Sequence, residues 1–286
     1  MAPPIDRAGG PYSLGVIGDP VAHSLSPALH QPALDLLGIP ATYERWHTTA
    51  ADLPARVLRL REPRALGASV TVPHKVAVMG LVDDVSAAAK RAGAVNTIVH
   101  RDGLLFGDNT DIHGFATAVR GALGSAQPAV ALVLGAGGAA RAVVLALEAA
   151  GAAEIVVANR DAARVGRLAG DLAPAPVRAT VLDRDALARE LPRAELLVNA
   201  TSLGWHAGET PLELDLLDLL PDNALVAELT YRETDLLQAA AARSLLTLDG
   251  LPMLVHQGAR AFTLWTGHEA PVAAMLAAVQ QAQAAK

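Results

Sequence analysis

Not one of the chain's 286 residues is a cysteine. Disulfides, thiolate zinc sites and cysteine nucleophiles are therefore excluded, and a reducing cytoplasm fits the composition. Basic tracts are missing as well: 23 Lys and Arg face 29 Asp and Glu, a net charge of −6. Neither a nucleic acid nor an anionic membrane is the expected main partner, whereas a small anion held by a few placed cations is compatible. From Met1 onward no basic segment leads into an apolar run, so no signal peptide is expected. The uncharged stretch Gly121–Ala140 has the length of a membrane span, yet it holds Pro128 and a glycine cluster and runs straight into Arg141. A strand followed by a glycine turn explains it better. The histidines show no ligand spacing, and no metal is expected.

What is present is apolar material: hydrophobic residues make up 52% and charged residues 18%, enough for about two domains. Strand-like Leu14–Gly18, Ala41–His47, Ala68–Val72 and Gly93–His100 alternate with helical Pro27–Leu37 and Ala51–Arg61. Ser26 is the expected N-cap of the first helix, with Pro27 at its first position. This rhythm predicts an α/β domain with a largely parallel sheet over residues 1–111. Residues 112–249 repeat it with strands at Ala129–Leu134, Glu154–Asn159, Val177–Leu182, Glu195–Asn199, Ala224–Leu229 and Leu245–Leu248, a doubly wound pattern. Residues 250–286 form two helices expected to pack back on the first domain.

Gly135-Ala136-Gly137-Gly138-Ala139 follows a strand and opens a helix. Gly135 permits a tight turn, Gly137 lets backbone approach a pyrophosphate, and the helix N-terminus offers N–H groups to phosphate oxygens. Glycine triplets alone are weak evidence; the strand–turn–helix setting is what points to a dinucleotide. The next strand ends at Asn159-Arg160, with Arg164 one turn on, where an NAD site usually carries an acidic residue. Two guanidinium groups there favour a 2′-phosphate, hence NADP. Asp161 opposes that reading and keeps NAD as the alternative.

In the first domain, four polar segments fall at junctions between strands and helices: Gly18–Pro27 with Ser24 and Ser26, Gly67–Lys75 with Thr71, Gly93–Thr97 with Asn96, and Gly107–Asp111. Read alone, Ser24 and Ser26 are a cap and its neighbour, Lys75 a surface lysine and Asp111 a helix cap. Their shared position is where α/β sheets gather ligand groups.

Together with Asn199–Gly204 and Gly250–Phe262, these segments resemble the shikimate dehydrogenase family, in order, from Gly18 to Gly267. The resemblance implies a reversible, NADPH-dependent reduction of 3-dehydroshikimate to shikimate, a step towards chorismate and the aromatic amino acids. It assigns Lys75 and Asp111 as the catalytic pair and Ser24 and Ser26 to the substrate carboxylate. Asn96, Asp111, Thr71 and Gln257 fall to the ring hydroxyls, and Tyr231 to the carboxylate end. Asn199, Thr201, Ser202, Leu229, Gly250 and Met253 fall to the nicotinamide side. Four positions depart from the usual pattern: Ser69 where Asn is common, Gln31 for Asn, Asp161 for Thr and Glu228 for Asp. A quinate/shikimate dehydrogenase preferring NAD is the nearest alternative. A non-catalytic sensor of shikimate-like acids is a more distant one, opposed by the retention of Lys75 and Asp111. Monomer and homodimer are both compatible.

Overall fold

The computed structural model describes residues 11–285, which divide into two compact units. One comprises the chain up to Gly114 together with Val255 onward, and the other is Phe115–Leu254.

The first unit contains β1 (Tyr12–Gly18), α1 (Ser26–Leu36), β2 (Ala41–His47), α2 (Leu53–Arg59), β3 (Gly67–Val70), β4 (Asp84–Val85), α3 (Ala87–Ala92), β5 (Thr97–Arg101) and β6 (Leu104–Asp108). Its sheet runs in the order β2-β1-β3-β5-β6-β4. The β1 strand is parallel to β2 and β3, β4 is parallel to β6, and β5 is antiparallel to both β3 and β6, so five of the six strands point one way and the sheet is largely parallel, as expected, with β5 alone reversed. The cause is the Asp102-Gly103 turn, whose two residues both take positive φ, 51° and 82°. That conformation matches the twist of a two-residue hairpin and folds β6 directly back on β5. The expected strand Gly93–His100 is also shortened. Ser86 caps α3 by accepting the Ala89 N–H, and Gly93 ends that helix in the left-handed region, leaving only Thr97 onward to pair.

In the second unit lie most of α4 (Asp111–Leu123) and then β7 (Val130–Leu134), α5 (Gly138–Ala149), β8 (Glu154–Asn159), α6 (Ala162–Asp171), β9 (Val177–Val181), α7 (Arg184–Glu190), β10 (Leu196–Asn199), β11 (Leu225–Glu228), α8 (Asp235–Ala242) and β12 (Leu246–Leu248). Its sheet is parallel throughout, in the order β12-β11-β10-β7-β8-β9. This is the doubly wound dinucleotide-binding order, with its switch point between β7 and β10. The strands read as unbroken apolar runs because helices cover both faces, and Leu132, Leu134, Val156, Leu197 and Val226 are all buried.

Two further helices close the chain, α9 (Leu251–Thr266) and α10 (Val272–Ala284). Within the first unit α10 packs on α1. Trp265 of α9 is fully buried there, and its Nε1 donates to the Ile98 carbonyl at 2.8 Å. Among the described residues no helix is long and apolar enough to cross a membrane.

Candidate active site

Asn96, just before β5, anchors the polar centre of the first unit. Its backbone N–H donates to the Asp108 carbonyl and its own carbonyl accepts from Val70, so the sheet fixes its position. Its Oδ1 accepts from the Thr110 N–H at 2.7 Å and from the Thr97 hydroxyl at 3.0 Å. Those bonds hold the turn that starts α4. Asp111, the first residue of that helix, is thereby placed with Oδ1 2.8 Å from Asn96 Nδ2. Its other oxygen, Oδ2, accepts from Lys75 Nζ at 2.6 Å. The Lys75 carbonyl in turn accepts the Val95 N–H. Gln257 of α9 brings Oε1 to 3.4 Å from both Asn96 Nδ2 and the Thr110 hydroxyl.

Four segments distant in the chain thus meet in one hydrogen-bonded cluster. Asp111 is only 7% exposed, and the Lys75 side chain keeps 24% of its surface open. Lys75 is therefore no ordinary surface lysine. Burying this many polar groups costs free energy unless each is satisfied, and a core would not need them. The arrangement presents an ammonium, rigidly aimed, to whatever enters from its open side.

Ser24 and Ser26 form a second group on the turn into α1. Leu25 is the residue preceding the helix and provides no side-chain cap, so Ser26 is not the N-cap expected from the sequence. Instead the Ser24 hydroxyl donates to the Ser26 hydroxyl at 3.1 Å and accepts the Ser26 N–H at 3.2 Å. Arg45 pins the same turn by donating twice to the Ser24 carbonyl. Half-buried Thr71 follows β3, with its N–H on the Ile17 carbonyl. Tyr231 belongs to the other unit, where its ring meets Trp205 edge to face.

In the second unit Gly135 ends β7 at φ +107°, and a Cβ there would lie 2.8 Å from the Ala200 carbonyl oxygen. Only glycine fits that turn. Gly137 precedes α5, and no side chain caps the helix. A Cβ at Gly137 would meet nothing closer than Arg164 Nη2 at 3.8 Å, so packing within the protein does not demand glycine at this position. Open backbone N–H groups at an uncapped helix start, on a turn kept bare of side chains, are what a pyrophosphate requires. Ala136 is buried and Gly138 and Ala139 are half-buried along the same turn.

Arg164 reaches back to that turn, its Nε donating to the Ala136 carbonyl at 3.1 Å, while Arg160 is exposed at the end of β8. Asp161 has a structural use. It is the N-cap of α6, accepting the Arg164 N–H at 3.1 Å, and its own N–H donates to Asn159 Oδ1. Arg164 therefore reaches the turn itself, while Asn159 ends the neighbouring strand and Arg160 follows it.

On the other side of the switch point, Asn199 Oδ1 accepts the N–H and hydroxyl of Thr201, at 3.0 and 2.7 Å, shaping the loop that carries exposed Ser202. Asn199 Nδ2 donates to Glu228 at 2.9 Å, and Thr234 donates to the other Glu228 oxygen at 3.0 Å. Burial pushes the Glu228 carboxyl up to about 7, against the pull of those two bonds. Next to Leu229, Gly250 donates its N–H to the Thr230 carbonyl, and Met253 is half-buried on α9.

Sequence reading gave no role to Thr97, Thr110, Tyr43 or the Glu228 carboxyl. Thr97 and Thr110 flank Asn96 and Asp111, which is the only local signal they carry. His30 and His74 lie in the interior. His30 stacks on Tyr43, and His74 bonds the Thr48 carbonyl. Among the described residues no group of three His, Asp or Glu is arranged to hold a metal.

A doubly wound unit with a bare Gly-Ala-Gly-Gly turn, in one chain with a unit that buries a lysine–carboxylate pair, defines a nicotinamide-dependent oxidoreductase. Comparison with known proteins narrows the class. Residues 16–98 match the shikimate dehydrogenase substrate binding domain, residues 118–205 the shikimate / quinate 5-dehydrogenase family, and residues 250–280 the shikimate 5′-dehydrogenase C-terminal domain. The chain belongs to the shikimate dehydrogenase family. It is 44% identical over 270 residues to the NADP(+) shikimate dehydrogenase of Symbiobacterium thermophilum, covering 92% of this chain and 91% of that one. The crystal structure of the Thermus thermophilus shikimate 5-dehydrogenase in complex with NADP(H) and shikimate superimposes with a TM-score of 0.85 at 41% identity, over 95% of this chain and 99% of that one. A quinate dehydrogenase from Corynebacterium glutamicum in complex with NAD matches at TM-score 0.87 and 32% identity, over 96% and 100%.

Proposed function

We propose that the chain is an NADP-dependent shikimate dehydrogenase, interconverting 3-dehydroshikimate and shikimate on the route to chorismate and the aromatic amino acids. The observation that carries this reading is the Lys75–Asp111–Asn96 cluster. In the proposed assignment Asp111, Asn96, Thr71 and Gln257 hold the ring hydroxyls, and Ser24 and Ser26 hold the carboxylate, with Tyr231 at that end.

When bound, the nicotinamide supplies the hydride to the ketone carbon. The work of the chain is at the oxygen. Lys75 Nζ faces the developing alkoxide, stabilises its charge and gives it a proton; in the reverse direction it takes that proton back. Asp111 fixes the ammonium through its 2.6 Å bond while accepting from Asn96 with its other oxygen, so neither group can swing away. The Gly135–Ala139 turn is assigned to the pyrophosphate, and Asn159, Arg160 and Arg164 to the 2′-phosphate. Asn199, Thr201, Ser202, Leu229, Gly250 and Met253 are assigned to the nicotinamide half. The capping role of Asp161 supports NADP over NAD, because that carboxylate is already engaged with the start of α6.

The second reading, an NAD-dependent quinate/shikimate dehydrogenase, draws on the likeness to the quinate dehydrogenase. We place the protein in the cytoplasm, in line with its lack of cysteine, acting as a monomer or homodimer on small molecules. A coupled absorbance assay of shikimate and quinate, each with NADP⁺ and NAD⁺, tests the proposal. The highest kcat/KM is expected for shikimate with NADP⁺, and a higher value for quinate with NAD⁺ would reverse it.

A further inference from the structure

Glu228 is only 2% exposed, and nothing in the proposed chemistry uses its carboxyl. The sheet sets its place: Asn199 and Glu228 stand opposite each other as the last residues of β10 and β11. Beyond them the chain leaves in two loops, one carrying Thr201 and Ser202 and the other beginning at Leu229, both on the nicotinamide side in the proposed assignment. The carboxyl ties these loops together. One oxygen accepts from Asn199 Nδ2 at 2.9 Å and the other from the Thr234 hydroxyl at 3.0 Å. Thr234 is also buried and ends the second loop as the N-cap of α8. Gly204 closes the first loop over the pair at φ +107°, where a Cβ would sit 3.3 Å from Thr234 Cγ2 and 3.5 Å from Glu228 Oε1. Burying a carboxyl costs free energy that an aliphatic side chain in the same place would not.

We propose, building on the shikimate dehydrogenase reading, that Glu228 is a positioning residue for the nicotinamide half of NADP, acting through Asn199. The Asn199 amide is fully committed. Its Oδ1 accepts the N–H and hydroxyl of Thr201, and its Nδ2 donates to the Leu203 carbonyl at 3.0 Å as well as to Glu228. The two ends of an amide have nearly the same shape, so its partners decide which way it faces. Glu228 supplies an acceptor on one side, which holds Nδ2 there and leaves Oδ1 to shape the Thr201 turn. Protonation does not undo this, because the proton can lie on the oxygen facing Thr234, whose hydroxyl accepts as readily as it donates. With no acceptor at position 228, Asn199 loses one of its two Nδ2 bonds and the Thr234 hydroxyl loses its acceptor. The tie between the loops is then cut at its root.

The test measures Kd for two probes, NADPH and adenosine 2′,5′-bisphosphate, in wild type, Glu228→Met and Glu228→Gln. The bisphosphate carries the adenosine and 2′-phosphate of the cofactor but no nicotinamide. Methionine matches the length of glutamate and offers only a weak acceptor, whereas glutamine keeps an oxygen for Asn199 and turns an N–H to the Thr234 hydroxyl. Glu228→Met is expected to weaken NADPH about tenfold, the loss of about one to two hydrogen bonds, and the bisphosphate by less than about twofold. Glu228→Gln should bring NADPH back to within about twofold of wild type. If Glu228→Met folds poorly, Thr234→Val decides the matter: it removes the hydroxyl at the far end of the tie and should weaken NADPH about threefold with the bisphosphate again unmoved. Equal weakening of both probes, no weakening of NADPH, or a glutamine variant no better than the methionine one would overturn the proposal. Failure of the wild type to reduce 3-dehydroshikimate with NADPH would instead count against the dehydrogenase reading itself.

Discussion

Replacing Lys75 tests the chemistry at its centre. Lys75 makes one short bond, to Asp111, and keeps a quarter of its side chain open, so Lys75→Met removes the ammonium while retaining most of the stem. If Lys75 is the proton donor, kcat should fall about 10²–10⁴-fold. That corresponds to roughly 3–5 kcal/mol of lost transition-state stabilisation. The fold should suffer much less. Breaking a fully buried ion pair costs about 3–5 kcal/mol, but Asp111 keeps its bond to Asn96 and water reaches the lysine side, so about 1–2 kcal/mol is expected here. For a chain of this size that lowers Tm by only a few degrees. NADP⁺ affinity, followed by fluorescence titration, should stay within about twofold, since the dinucleotide residues lie elsewhere in the sequence. Lys75→Arg sharpens the test: a guanidinium preserves charge and a bond to Asp111 but does not release its proton at working pH, so it should not restore kcat. A Lys75→Met protein turning over within tenfold of wild type, or an active Lys75→Arg protein, would refute proton donation by Lys75.

Three further outcomes are expected. Gly137→Ala adds a Cβ that meets nothing closer than 3.8 Å, so Tm should hold while the KM for NADP⁺ rises at least tenfold; unchanged KM would remove that turn from the pyrophosphate site. Arg160→Ala with Arg164→Ala should cost about 10²–10⁴-fold in kcat/KM with NADP⁺ and little with NAD⁺, each of the two lost bonds to a charged oxygen being worth about 1.5–3 kcal/mol; equal losses with both cofactors would contradict the 2′-phosphate assignment. Glu228 keeps its proton up to about pH 7, whereas the ordinary value is 4.5, so the folded state binds the extra proton between these values and stability falls as pH rises through that window. Glu228→Gln should therefore flatten the melting profile between about pH 5 and 7.5 and be the more stable protein at pH 8, by a few kcal/mol at most; parallel profiles would contradict it.

Much of this fold was legible in the sequence because its strongest signals are local. The apolar runs of β7, β8, β10 and β11, each followed by a turn, give the doubly wound unit, and the glycines at 135 and 137 stand where the pattern requires them. What escaped was set by turn chemistry or tertiary contact. The Asp102-Gly103 hairpin, through two positive φ angles, sets β5 against the direction of the other strands of the first sheet, a signal present in the letters but outweighed by the βαβ rhythm. Ser26 looked like a cap, and only the geometry shows its hydroxyl engaged with Ser24 instead. The convergence of positions 75, 96, 111 and 257 rests on hydrogen bonds spanning up to 161 residues, which no local pattern encodes. Family resemblance pointed to those residues; their bonds supply the physical reason. Asp161, which looked like an obstacle to a phosphate, is explained by its capping bond to α6.

The most direct test of the account follows the hydride. Wild-type protein is incubated with 3-dehydroshikimate and NADPH carrying deuterium at both C4 positions of the nicotinamide, and the product is examined by mass spectrometry. The account predicts shikimate heavier by one deuterium, carried on the new carbinol carbon. Shikimate without the label, or no shikimate, would contradict it.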